Sequence, residues 1–179
     1  MRDDRLGPAE WLDAGLKALA KSGVSALKAD TLAKSLGVSR GSFYWHFADV
    51  PAFHAAVLHR WREVALENII AEVDVATVDR LEALLRRAFA RPSRIERAIR
   101  AWATADEQAR VAVEAVDGER TGYLRKLLIE AGLSPGVAET RARLLNWSYL
   151  GFAFSSNLLD ENAFQRVVEE LLRFARSRP

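Results

Sequence analysis

Apolar residues recur along this chain at helical spacing almost from end to end, and no stretch alternates strictly enough for a strand. Leu12, Leu16 and Leu19, with Trp11 alongside, predict a first helix that Pro8 can start and Gly23 ends. A short segment, Thr31–Leu36, carries Leu32, Ala33 and Leu36 on one face and stops at Gly37. Ser39 is placed to cap a third helix running to about His46. Asp49 opens a fourth, with Pro51 tolerated in its first turn and Phe53, Val57, Trp61, Val64 and Ile69 continuing the stripe to roughly Glu72. Asp74–Thr77 reads as a break. Leu81, Leu84, Leu85 and Phe89 mark a fifth helix ended by Arg91-Pro92. The sixth covers Arg94–Thr104, and the seventh Glu107–Ala131, weakened at Gly118 and Gly122. Gly132, Ser134 and Pro135 form a stop and a restart, giving an eighth helix to about Leu159 and a ninth over Glu161–Ser177. The expected fold class is all-α, with nine helices.

Composition narrows the function by exclusion. The chain has 179 residues, half of them hydrophobic, which is enough to bury a core without crosslinks. It has no cysteine, so disulfides, thiolate nucleophiles and thiolate zinc sites are excluded. There is no apolar run of membrane-spanning length and no signal-peptide pattern, and the expectation is a soluble cytoplasmic protein. The net charge of +2 is concentrated early: residues 1–60 hold 8 Lys+Arg against 6 Asp+Glu, leaving 18 against 18 in the rest. Lys17, Lys21, Lys28 and Lys34 are early and only Lys126 is late. An anion-facing N-terminal module fits that split.

The segment from Thr31 to Phe47 reads as helix, glycine turn, helix. Gly37 supplies the backbone angles that a tight turn needs, while Leu32, Ala33, Leu36, Val38 and Phe43 pack the two helices together. Ser39, Arg40, Ser42, Tyr44, Trp45 and His46 are left partly outward on a short helix, the arrangement that enters a DNA major groove. Gly41 removes a side chain where backbone approaches DNA. Arg40 can fork onto guanine and Ser42 can donate or accept, whereas Tyr44 and His46 suit phosphate oxygens.

Leu32-Ala33, Leu36-Gly37-Val38-Ser39 and Gly41-Ser42-Phe43-Tyr44-Trp45-His46-Phe47, followed by Phe53, resemble the TetR family of bacterial transcriptional regulators. The resemblance covers roughly residues 8–60. It implies a DNA-binding domain over 1–48 and a helical ligand-binding and dimerisation domain over 49–179. The chain departs from the family at Val50, where a Lys is usual, and at Pro51, where an acid is usual, so a phosphate contact is absent there. Lys28 stands where many relatives place Thr, and with Thr31 it offers phosphate contacts instead.

The resemblance further implies a homodimer through the last two helices, a near-palindromic double-stranded operator, and repression relieved by a small-molecule effector. Leu144, Leu145, Ser148, Phe152 and Ser155, with Gly151, and the stripe Phe164, Val167, Val168, Leu171 and Leu172 are the expected dimer surfaces. Trp102, Asn146, Trp147, Tyr149 and Phe152 are the candidate ligand-binding residues, suited to an apolar or aromatic effector; Phe154 adds an aromatic wall. No catalytic constellation is present: the acids at Asp106/Glu107, Asp117/Glu119 and Asp160/Glu161 read as helix ends, and His46, His54 and His59 are not spaced for a metal. No cofactor, no metal and no membrane partner are expected. The competing classes are a small all-helical enzyme, which the missing constellation disfavours, and a helical protein–protein adaptor of the same fold that has lost DNA binding, which Val50 keeps open.

Overall fold

The computed structural model describes residues 6–76, 79–155 and 158–177. The order is α1 (Pro8–Ser22), a 3-10 turn (Val24–Ala26), α2 (Ala29–Leu36), α3 (Arg40–His46), α4 (Val50–Arg62), a π-helical segment (Glu63–Glu67), α5 (Asn68–Asp74), α6 (Arg80–Phe89), α7 (Arg94–Ala103), α8 (Glu107–Glu130), α9 (Pro135–Phe154) and α10 (Glu161–Arg176). With Val50–Asp74 taken as one helical run, the described residues form nine helices and no strand, as the periodicity predicts.

Most of the predicted punctuation is present. Gly23 and Gly37 take positive φ, at 74° and 69°, and Gly132 at 93°, angles that suit a residue without a Cβ. Asp49, Asp79 and Asp160 cap α4, α6 and α10, their carboxylates accepting from Ala52, Glu82 and Ala163 N–H at 2.7, 2.9 and 2.7 Å. Ser39 occupies the N-cap of α3, but its side chain makes no capping bond; its backbone carbonyl accepts from Ser42 N–H at 3.1 Å.

Three boundaries differ from expectation. α2 starts at Ala29, because Lys28 is extended and its carbonyl accepts from Leu32 N–H at 3.0 Å. α8 runs unbroken past Gly118 and Gly122, both on its exposed side, since burial of Leu124, Leu127 and Leu128 outweighs a glycine cost of about 1 kcal/mol each. α9 stops at Phe154 rather than near Leu159, because Ser155 is already extended and Asp160 must be extended to cap α10. Of the break expected at Asp74–Thr77, the helix does end at Asp74, and Thr77 lies outside the described residues.

The chain packs as two compact units, 1–63 with 94–113, and 64–93 with 114–179. In the first, α1 packs on α4 and α7, and α2 on α3. Phe43, Phe47 and Phe53 form an aromatic knot with centroids 4.9–5.3 Å apart, and Trp11 adds an edge to Phe43 at 5.4 Å. A Cβ on Gly15 would lie 2.9 Å from Phe53 Cζ and 3.1 Å from Val57 Cγ2, so α1 meets α4 at a position only glycine fits without displacement. In the second unit, Leu81, Leu85, Phe89, Leu124, Leu127, Leu128, Leu145 and Val168 form the core.

Candidate DNA-binding site

Gly37 turns the backbone left-handed between α2 and α3, and Val38 N–H donates to Ala33 O at 3.0 Å across the turn. Leu32, Ala33 and Phe43 are buried, with Leu36 and Val38 half-buried, so these five residues join the two helices as predicted. A seven-residue helix is too short to be stable alone. Phe43 is the anchor that holds α3 against the first unit.

Opposite that anchor, α3 presents an unusual surface. Trp45 is 83% exposed and Tyr44 43%, values that aromatic side chains seldom show unless something covers them. Ser39, Arg40 and Gly41 are exposed and Ser42 is half-buried. A Cβ on Gly41 would meet only Ser39 Oγ, at 3.6 Å, so this backbone stands open to a close-approaching partner. Lys28 and Thr31, at the start of α2, are also exposed.

Two of the predicted contacts are already engaged. Arg40 Nη2 donates to the Tyr44 hydroxyl at 3.1 Å, its Cζ lies 5.4 Å from the Tyr44 ring centroid, and its Nε is 3.3 Å from Asp30. The tyrosine bond and the Asp30 carboxylate hold the guanidinium proton more tightly than usual. The cation is therefore folded along the outward face of the helix. His46 is half-buried, with Nε2 2.8 Å from the Leu6 carbonyl oxygen, which requires the proton on Nε2. That ring ties the segment before α1 to the end of α3, with its Nε2–H spent on the Leu6 carbonyl. Asp30 and Leu6 were not legible as partners: the spacing of an acid from an arginine ten residues on says nothing until the glycine turn folds one helix against the other.

The remaining histidines also have partners. His54 Nε2 is 3.1 Å from the Leu27 carbonyl and its ring meets Trp102 edge-on at 5.1 Å, while His59 Nδ1 is 3.3 Å from Glu63. Arg60 reaches Asp13 at 2.9 Å and Glu63 at 3.0 Å, joining α1 to the end of α4. No group of three His, Asp or Glu among the described residues is arranged to hold a metal.

The five candidate ligand residues fall in both units. Trp102 is buried in the first unit against His54. Asn146 is 5% exposed in the second unit, where Tyr149 and Phe152 pack on Phe89 at 6.3 and 5.3 Å. Trp147 is 61% exposed, because the α9 face carrying Ala142, Leu145, Asn146 and Ala153 is the one that turns inward. Sequence reasoning missed Arg120, which is 9% exposed on α8, since a single arginine on a charged helix gives no sign of burial.

The expected dimer stripes also divide. Leu145 and Val168 are core residues, and Phe152, Phe164, Val167, Leu171 and Leu172 pack against that core within the same chain. An amphipathic stripe is satisfied by its own helical neighbours first. What stays outside on α9 is Leu144 (39% exposed), Trp147, Ser148, Gly151 and Phe154 (54%).

The family model for bacterial regulatory proteins of the TetR family matches residues 12–49, the stretch just described. The whole chain is similar to solved structures of regulators. Reduced NemR of E. coli is 18% identical, with 93% of this chain and 96% of that one covered and a TM-score of 0.71. A TetR-family member from Streptomyces coelicolor A3 is 19% identical, with 93% and 98% covered and a TM-score of 0.64. AibR, solved with isovaleryl coenzyme A and operator DNA, is 16% identical, with 92% and 97% covered and a TM-score of 0.64. No curated protein matches the chain by sequence. The glycine-turned helix pair with its exposed aromatic face is thus the stretch that matches the TetR family of bacterial regulatory proteins, and the chain as a whole shares the fold of the solved structures above.

Proposed function

We propose that this protein represses transcription by binding a near-palindromic operator as a homodimer and is released by a small-molecule effector. It acts as a DNA-binding regulator of transcription. The observation that carries the reading is α3 itself: Phe43 is fully buried while Arg40, Tyr44 and Trp45 stand outward on the opposite face. Such a helix is held from behind and free in front, as major-groove insertion requires. Arg40 reads a base edge, Ser39, Ser42, Tyr44 and Trp45 line the groove, and Lys28 and Thr31 take backbone phosphates, while His46 holds the end of α3 in place.

The second copy sits on the exposed face of α9. Leu144, Trp147 and Phe154 form an apolar patch, and Gly151, which has nothing within 4 Å of an added Cβ, allows close approach. A two-fold pair would set the two recognition helices about 34–36 Å apart, one DNA turn. The effector contacts Asn146, Tyr149 and Phe152 in the second unit. It acts by binding the DNA-incompetent form more tightly, since equal affinity for both forms shifts nothing. AibR, of the same fold, was solved with isovaleryl coenzyme A and operator DNA, an organic ligand and a duplex, the two kinds of partner this reading calls for.

The test is selection of bound fragments from genomic DNA of the source with purified protein, at physiological salt and with competitor DNA. Enrichment of a near-palindrome is expected. A folded protein that enriches nothing overturns the reading and leaves the protein–protein adaptor.

A further inference from the structure

Arginines of the first and second units are commonly answered by an acid: Arg60, Arg86 and Arg100 each reach a carboxylate at 2.8–2.9 Å. Arg94 and Arg97, one turn apart on α7, have no hydrogen bond, ion pair or ring contact among the described residues, and neither has Lys21 near the end of α1. Arg97 is half-buried, so its charge is not simply left in bulk water.

These three cations share one place. α1 packs on α7 within the first unit. Beside the turn that Gly23 makes at the end of α1, the two helices leave an open groove of about 780 Å³. Lys21, Arg94 and Arg97 line it and no acidic residue does. Leu19, Val24, Trp102 and three alanines make up most of the remaining wall. A groove of this volume is in the range that takes an organic ligand and is far larger than a single ion needs. Like charges gathered beside an apolar wall raise one another's energy, and a bound anion removes that cost.

We propose that this groove binds a small organic phosphate, its phosphoryl group held by Arg94, Arg97 and Lys21 and its apolar body lying against Leu19, Val24 and Trp102. The site lies wholly in the first unit and does not rest on the effector contacts assigned to Asn146, Tyr149 and Phe152. Two guanidinium forks and an ammonium offer more donors than one carboxylate can use, whereas a phosphoryl group brings three acceptor oxygens and nearly two charges. The apolar wall selects against the other common source of phosphate: a duplex backbone would meet the cations and leave Leu19, Val24 and Trp102 uncovered.

The experiment uses the full chain at physiological salt with four probes: 1-naphthyl phosphate, 1-naphthoate, 1-naphthol and inorganic phosphate. Calorimetric titration should find the ester bound about tenfold or more tightly than 1-naphthol or inorganic phosphate, since it alone meets both the cations and the apolar wall. The carboxylate should bind more weakly than the ester. Arg97→Gln and Arg94→Gln should each weaken the ester about tenfold and leave 1-naphthol unchanged. Lys21→Gln, at an exposed position, should weaken it as well and serves if Arg97→Gln does not fold. Inorganic phosphate or 1-naphthoate bound as tightly as the ester overturns the ligand class. An ester that does not bind at millimolar concentration, or whose affinity survives the substitutions, overturns the site. A nonspecific duplex that displaces the ester assigns these cations to the DNA backbone and overturns the proposal too.

Discussion

The Arg40 guanidinium lies folded along its own helix onto Tyr44, Nη2 3.1 Å from the phenol oxygen, with Asp30 closing the other side at 3.3 Å. Both partners are exposed, so the arrangement is cheap to open. Opening it gives the longest polar side chain on α3 its reach toward a base. Arg40→Ala is expected to weaken operator binding by about 1–3 kcal/mol and relax one base position per half-site. Tyr44→Phe, which removes the holding bond, should weaken all sites about equally and leave the selected sequence unchanged. Sequencing of fragments selected by each variant checks this; an Arg40→Ala protein that selects the same site equally tightly refutes the base assignment.

Trp45 should separate folding from binding. At 83% exposure its removal leaves the core untouched, so Trp45→Ala is expected to change unfolding free energy by no more than about 0.5 kcal/mol. Operator affinity should nonetheless fall at least severalfold. Urea unfolding and fluorescence anisotropy with labelled operator measure the two quantities; a large loss of stability would show that Trp45 is a folding residue.

Gly15 is the reverse case, a residue with no surface role. A side chain there would run into Phe53 and Val57, at 2.9 and 3.1 Å from the first added carbon. Gly15→Val should cost about 1–3 kcal/mol through overpacking. A midpoint equal to wild type in urea would mean that α1 can move away from α4 at no cost.

In the second unit, the Tyr123 hydroxyl donates to Asp74 Oδ1 at 2.7 Å, and Arg80 approaches the same oxygen at 3.5 Å. The tyrosine bond is the main cause that holds the Asp74 carboxyl below its usual range. A carboxyl whose pKa is lowered in the folded state contributes stability above its unfolded value, near 4, and loses it as pH falls through the lower folded value. Tyr123→Phe should therefore be less stable than wild type near pH 6, with the difference shrinking below pH 4. Urea midpoints from pH 2.5 to 7 test this; a difference that does not change with pH assigns the bond no role in titration.

Trp147 and Phe154 are exposed on α9 and assigned here to the second copy of the chain. Trp147→Glu should convert a dimer into a monomer in sedimentation experiments at micromolar concentration and abolish binding to a palindrome while leaving the fold intact. Wild-type protein sedimenting as a monomer at the same concentration would remove this interface.

The helix-turn-helix was readable because everything that makes it is local: the Gly37 turn, the Phe43 anchor and the outward Arg40, Tyr44 and Trp45 lie within a few residues of one another. Helical periodicity then decides which side of α3 is buried, and the exposure of Trp45 follows. The second unit was legible as helices and not as a site. Trp147 and Asn146 are neighbours with opposite fates, one 61% and the other 5% exposed, and α9 is apolar on so many sides that its pattern does not say which face turns inward.

The chain's order of apolar and polar residues thus determined its all-helical class, its nine helices and their capped or glycine-ended limits, because those depend on interactions spanning four residues or fewer. Tertiary structure alone decided which faces of α9 and α10 are core, that α7 packs with α1, that His46 holds Leu6, and that Arg120 is buried against Ala65 and Tyr149. These partners lie from 29 to more than 70 residues apart along the chain or depend on a choice between apolar faces. No local free-energy difference selects them; packing of the whole unit does.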